Sequence, residues 1–254
     1  MSKIILITGA TSGFGKAMAI LFANNGYNVI INGRREERLI ELETLLKKHY
    51  HVEVHKLPFD VRKRDEVALA IGSLPENWKK IDVLVNNAGL ASGLSAIQDG
   101  NLDDWDAMID TNIKGLLYVT REVTPLMIKN KKGHIINIGS VAGKEVYPKG
   151  NVYCATKHAV DALNKAMRID LLPQHIKVTA INPGLAETEF SIVRFHGDKE
   201  RAGQVYKGFT ALNADDIAEA AWFAVSRPPH VNINEMIIVP AAQANSRDVV
   251  KETI

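Results

Sequence analysis

Ile4-Ile5-Leu6-Ile7-Thr8-Gly9-Ala10-Thr11-Ser12-Gly13-Phe14-Gly15 is the stretch that decides the fold. Four aliphatic residues in a row, closed by Thr8-Gly9, read as a short buried strand. Three glycines then turn the chain into a helical stretch from Lys16 to Asn24. A strand that empties through glycines into a helix opens a βαβ unit. Glycine lets the backbone turn sharply and approach a ligand closely, while a helix N-terminus offers free N–H groups and partial positive charge to a pyrophosphate. The spacing is Gly9-x3-Gly13-x-Gly15, not the commoner Gly-x-Gly-x-x-Gly.

The rest of the chain repeats this alternation. Short apolar runs at Asn28 to Asn32, Val52 to Leu57, Val83 to Asn86, His134 to Ile138, Lys177 to Asn182 and Met236 to Val239 read as further strands. Between them, Glu36 to Lys48, Lys63 to Ser73, Asp103 to Lys129, Val152 to Leu171 and Asp215 to Val225 read as helices. Unbroken Ile/Val/Leu strands are expected where helices cover both faces of a parallel sheet. The pattern predicts an α/β fold: one doubly wound, Rossmann-like domain over residues 1–254, with a seven-stranded parallel sheet in the order 3-2-1-4-5-6-7. Leu185 to Asn213 breaks the rhythm, being long, glycine-bearing and without period. Its place after a strand's carboxyl end predicts a substrate lid.

Bulk properties narrow the function classes. A net charge of +2, with the basic residues dispersed among acids, gives no nucleic-acid or membrane surface. No apolar run approaches the roughly 18 residues of a membrane span. Cys154 is the single cysteine, so no internal disulfide can form, and a cytoplasmic protein is expected. Cys154 reads as packing, and His49, His51 and His55 lack a metal-ligand spacing, so no metal site is expected.

The second strand ends Asn32-Gly33-Arg34-Arg35, with no acid to accept from the ribose hydroxyls of NAD. Two arginines can instead clamp a 2′-phosphate, and cations placed at a helix start against its dipole favour a ligand there. This predicts NADP. Farther on, Tyr153-Cys154-Ala155-Thr156-Lys157 sets a phenol and an ammonium four residues apart on one helix face. A nearby cation favours the phenolate and lowers the phenol pKa, which suits proton exchange with an alcohol or carbonyl. Arg194, in the predicted lid, could pair bidentately with a substrate carboxylate.

With Thr8 to Gly15, Asn86-Asn87-Ala88-Gly89, Ser140, Tyr153-x3-Lys157 and Pro183-Gly184 all in order, nearly the whole chain resembles the short-chain dehydrogenase/reductase family. Asn86 to Leu90, Met108 to Gly115, His134 to Ser140, Glu189 to Phe195 and Val231 to Asn234 are similar to its branch of NADP-dependent 3-hydroxy acid dehydrogenases. Ser12 stands where many NADP-using relatives carry a basic residue, which places more of the cofactor choice on Arg34 and Arg35.

The resemblance implies roles. Tyr153 would be the proton donor or acceptor, Lys157 would tune it and bind the nicotinamide ribose, and Ser140 would hydrogen-bond the substrate oxygen. Asn112 would hold a relay water. Gly9, Thr11, Ser12, Gly13, Phe14 and Gly15 would cradle the phosphates. Asp60, Val61, Asn87, Ala88 and Gly89 would flank the adenine side, and Pro183, Gly184, Leu185 and Thr188 the nicotinamide. The implied activity is reversible oxidation of a small 3-hydroxy acid by a homotetramer. A broad NADPH-dependent carbonyl reductase would use the same catalytic set, and a non-catalytic NADP sensor would have no need of it.

Overall fold

A computed structural model describes residues 2–252. Seven strands, β1 Ile4–Ile7, β2 Asn28–Gly33, β3 Val54–Pro58, β4 Val83–Asn86, β5 Gly133–Ile138, β6 Ile176–Pro183 and β7 Glu235–Ile238, form one sheet. Their order is 3-2-1-4-5-6-7, and every neighbouring pair is parallel. β1 lies between β2 and β4, with Ile5 level with both Val29 and Val83. The order reverses on either side of β1, so a crevice opens beyond its carboxyl end.

Two helical layers bury the sheet, and the period-2 alternation of β1 assigns its side chains to them. Ile5 and Ile7 join a core with Met18 and Phe22 of α1 (Gly13–Asn24), Leu39 and Leu46 of α2 (Glu36–Tyr50) and Ile217 of α9 (Ala214–Val225). Ile4 and Leu6 join the opposite core, with Ile71 of α3 (Arg64–Gly72), Val123 of α5 (Leu116–Lys129) and Met167 of α6 (Asn151–Asp170). Each fully buried aliphatic of this kind stabilises the fold by about 1.5–3 kcal/mol relative to exposure. No helix among the described residues is long and apolar enough to cross a membrane.

The single helix expected from Asp103 to Lys129 is divided. It runs as α4 (Leu102–Ile109), a π-helical turn (Asp110–Gly115) and α5. The wider turn carries Asn112 inward, where its amide donates to the Leu90 carbonyl and to Thr156 Oγ1 at 2.8 and 3.0 Å. Its Oδ1 accepts from the Leu90 N–H at 2.9 Å. These partners come from a distant loop and from α6, which is why periodicity along the chain shows nothing unusual here. Single π turns of this type gather at functional sites.

Residues 185–213 are not without regular structure. They carry two short helices, α7 (Phe190–Arg194) and α8 (Lys199–Gln204). The ends of the segment are tied together: Glu187 N donates to the Leu212 carbonyl at 2.8 Å, and Leu212 N to the Leu185 carbonyl at 3.0 Å.

Candidate active site

The crevice beyond β1, β4, β5 and β6 is a cavity of about 550 Å3. Every candidate catalytic, cofactor-binding and substrate residue lines it except Gly15, which packs against Gly9 and Asn87, and Asn112, which holds Leu90. At its floor, Gly9 has φ +64°, and an added Cβ would lie 3.0 Å from Ala88 Cα. A side chain there would be strained and would press into the neighbouring loop. Thr8 holds that loop: its hydroxyl accepts from the N–H groups of Asn87 and Ala88, both at 3.0 Å. Asn87 completes the arrangement, its amide donating to the Thr8 and Gly9 carbonyls at 2.8 and 3.2 Å. The Asn87 side chain therefore braces the glycine turn from β4.

The first turn of α1 follows directly, and N–H groups there have no acceptor inside the helix. Beside it, Arg35 Nη2 donates to Thr11 Oγ1 and Ser12 Oγ at 3.0 and 3.1 Å. Arg34 is largely exposed, its Nη1 lying 3.9 Å from Asp60. Asp60 itself is held by Arg62, whose Nη2 donates at 2.6 Å. Burial raises the Asp60 pKa, but the Arg62 hydrogen bonds outweigh it and keep the carboxyl below its ordinary value.

At the other end stand the residues with chemistry. Helix α6 presents Tyr153, Lys157, Val160, Asn164 and Met167 on its buried face, the 3–4 residue spacing of an amphipathic helix. It approaches closely because residue 143 is glycine; a Cβ there would lie 2.6 Å from the Lys157 carbonyl oxygen. The Lys157 ammonium lies 5.9 Å from the Tyr153 ring centre and donates to the Ile138 carbonyl at 2.9 Å. Burial lowers its pKa to about 8. Burial, then the neighbouring Tyr147, pushes the Tyr153 phenol well above its ordinary value. The Ser140 hydroxyl and the Arg194 guanidinium act in the opposite sense. Ser140 closes the group from the end of β5, its Oγ accepting from Ala142 N at 3.1 Å.

Arg194 enters the same space from α7. Its guanidinium lies 5.7 Å from the Tyr153 ring centre and donates to the Tyr147 hydroxyl at 2.9 Å. The Arg194 carbonyl accepts from Gly93 N at 2.9 Å, so backbone and side chain both tie segment 185–213 to the opposite wall. Phe190 packs on Tyr153 with ring centres 5.7 Å apart.

Several residues of the site carry no sequence signal. Tyr147 is a lone aromatic in a loop. Gln243 accepts from Leu185 N at 2.8 Å across 58 residues. Arg38 is the exception: three residues after Arg35 on α2, it shares that helix face, and a search for a third cation would have found it.

Residues 3–198 match the family model described as short chain dehydrogenase. The chain is 49% identical over 242 residues to the NADP-dependent 3-hydroxy acid dehydrogenase YdfG of Salmonella typhi, covering 95% of this chain and 96% of that one. It is 46% identical over 245 residues to sulfoacetaldehyde reductase 2 of Chromohalobacter salexigens, covering 96% of each. Among solved structures it is similar to the closed form of serine dehydrogenase complexed with NADP+. The TM-score is 0.91 at 45% identity, over 98% of this chain and 100% of that one.

Proposed function

This chain belongs to the short-chain dehydrogenase family, and on that premise we propose that it is an NADP-dependent oxidoreductase that reversibly oxidises the hydroxyl of small 3-hydroxy acids. The observation that carries the substrate class is the Arg194 guanidinium set 5.7 Å from the Tyr153 ring. A cation placed beside the proton-transfer group suits a substrate whose anionic end is one or two carbons from its reacting hydroxyl.

The residues fit NADP. The glycine floor leaves no room for side chains, the α1 N-terminus faces the cleft, and Arg34 and Arg35 supply charge for the 2′-phosphate. When bound, NADP would supply the hydride acceptor for oxidation and NADPH the hydride donor for reduction. The chain's own residues do the rest. Tyr153 Oη takes the hydroxyl proton in oxidation and gives it back in reduction. Ser140 hydrogen-bonds the substrate oxygen and holds it toward Tyr153. The Lys157 ammonium favours the phenolate and binds the nicotinamide ribose. Asn112 clamps Leu90 and Thr156, fixing the wall behind Lys157 and the site of a relay water. Residues 185–213 act as the lid, and Arg194 pairs with the substrate carboxylate. The identity to sulfoacetaldehyde reductase 2 favours a second reading, reduction of a small aldehyde or ketone with the same residues. The chain works as a cytoplasmic homotetramer; exposed Leu102, Ile109 and Leu117 along α4 and α5 support its association with further copies.

A rate panel at the absorbance of the reduced cofactor tests the activity, with serine, allo-threonine, 3-hydroxyisobutyrate and a neutral secondary alcohol. Turnover of the acids with NADP, well above the neutral alcohol, is expected. Turnover of none of them in oxidation, with aldehydes reduced, would move the activity to the second reading.

A further inference from the structure

The lid carries an acid into the arginine cluster at the adenosine end of the cleft. Glu189 accepts from Arg38 Nη1 with both oxygens at 2.8 Å, and from Arg35 Nη1 at 3.2 Å. Arg35 spends its other terminal nitrogen on the Thr11 and Ser12 hydroxyls of the glycine turn. Glu189 therefore lines the same cavity as Arg34, Arg35, Thr11 and Ser12. The bridge crosses 154 residues of sequence, joining the lid to the start of α2. Two cations, Arg35 and Arg38, flank one carboxylate, so the cluster keeps an excess positive charge that a second anion can balance.

Resting on the NADP reading above, we propose that Glu189 is an internal anion of the 2′-phosphate site, which competes with the phosphate for Arg35 and so sets the strength of NADP recognition. The geometry distinguishes its two contacts. The pair with Arg38 is short and uses both oxygens, so it anchors the lid to α2. The contact with Arg35 is longer and single, and it is the one a phosphate dianion displaces. Arg35 then turns its fork from carboxylate to phosphate while Glu189 stays on Arg38. Two like charges about one guanidinium oppose each other, and Glu189 thereby weakens binding of any ligand that carries the 2′-phosphate, leaving ligands without it unaffected.

Adenosine 2′,5′-bisphosphate and adenosine 5′-monophosphate differ only in that phosphate, and neither reaches the catalytic residues. Calorimetric titration of both against the full-length parent, Glu189→Gln and Glu189→Asp separates the possibilities. The parent should prefer the bisphosphate. Glu189→Gln should bind the bisphosphate about three- to fivefold more tightly, as expected for one partly exposed charge interaction, with the monophosphate unchanged. Glu189→Asp keeps the charge and should stay near the parent. An unchanged or weaker bisphosphate affinity in Glu189→Gln overturns the proposal. So does equal tightening of both ligands, or tightening in Glu189→Asp. A parent that does not distinguish the two ligands overturns the phosphate site itself, which is a failure of the NADP reading and is recognisable as such before any variant is made.

Discussion

The Lys157 ammonium, 5.9 Å from the centre of the Tyr153 ring, gives its 2.9 Å hydrogen bond to the Ile138 carbonyl, and no carboxylate among the described residues pairs with it. A buried, uncompensated ammonium opposes folding, since desolvation disfavours the charged form. In the mechanism proposed above, that cost is offset by the role of the ammonium beside the phenol.

This has a measurable cost. With its pKa lowered from 10.5 to about 8, Lys157 binds fewer protons folded than unfolded between those two pH values. Unfolding takes up protons there, so stability rises with pH across the window, and below pH 8 the full penalty applies, roughly 3 kcal/mol at most. Lys157→Met should raise Tm at pH 7 without nucleotide, with the gain shrinking toward pH 10, while turnover is lost. A lowered Tm at pH 7 would show that the ammonium is compensated after all.

Tyr153→Phe removes the hydroxyl and keeps the ring on Phe190. Turnover should fall by about a hundredfold to ten-thousandfold, the usual worth of a positioned acid or base. NADPH binding, followed by fluorescence, should stay within a fewfold of the parent. Retained turnover would remove Tyr153 from proton transfer.

Arg34→Asp replaces a phosphate cation with a group suited to ribose hydroxyls. The ratio of kcat/KM for NADP to that for NAD should fall at least about tenfold, by loss of a charge-assisted pair. An unchanged ratio would place the phosphate on Arg35 alone.

Asn112 is 2% exposed and satisfies both the N–H and the carbonyl of Leu90. Asn112→Ala leaves those part-buried groups without their partner. It should lower stability by about 2 kcal/mol, or roughly 5 °C in Tm, together with turnover. A Tm equal to the parent's would mean that water replaces the amide at no cost.

What the sequence discloses and what it hides divide along a physical line. Strands such as Ile4–Ile7 and the glycine turn after them are legible because local composition and short-range spacing cause them. A parallel sheet follows from that regular alternation, whereas its order is that of the Rossmann fold, one of two orders the same alternation allows. Tyr153, Lys157 and Ser140 are legible as an ordered set, each at a strand end or a helix start. The π turn at Asp110–Gly115 is not, because its cause is Asn112 reaching Leu90 and Thr156 in tertiary contact. The two helices of segment 185–213 are only 5 and 6 residues long, too short for a period to show. The meeting of Glu189 with Arg38 spans 151 residues and leaves no trace in the linear order. The Tyr153 phenol is a further lesson: a neighbouring lysine at helical spacing suggests a lowered pKa, whereas burial in the folded chain drives it upward.

If Arg194 pairs with the anionic end of a 3-hydroxy acid while Tyr153 works on its hydroxyl, then kcat/KM for serine and for an uncharged alcohol of similar size should respond differently to Arg194→Ala. Loss of about 1.5–3 kcal/mol of charged hydrogen bonding corresponds to a ten- to hundredfold drop. That drop is expected for serine alone, with the alcohol unchanged within about twofold; an equal loss on both substrates, or none on either, would remove Arg194 from carboxylate recognition.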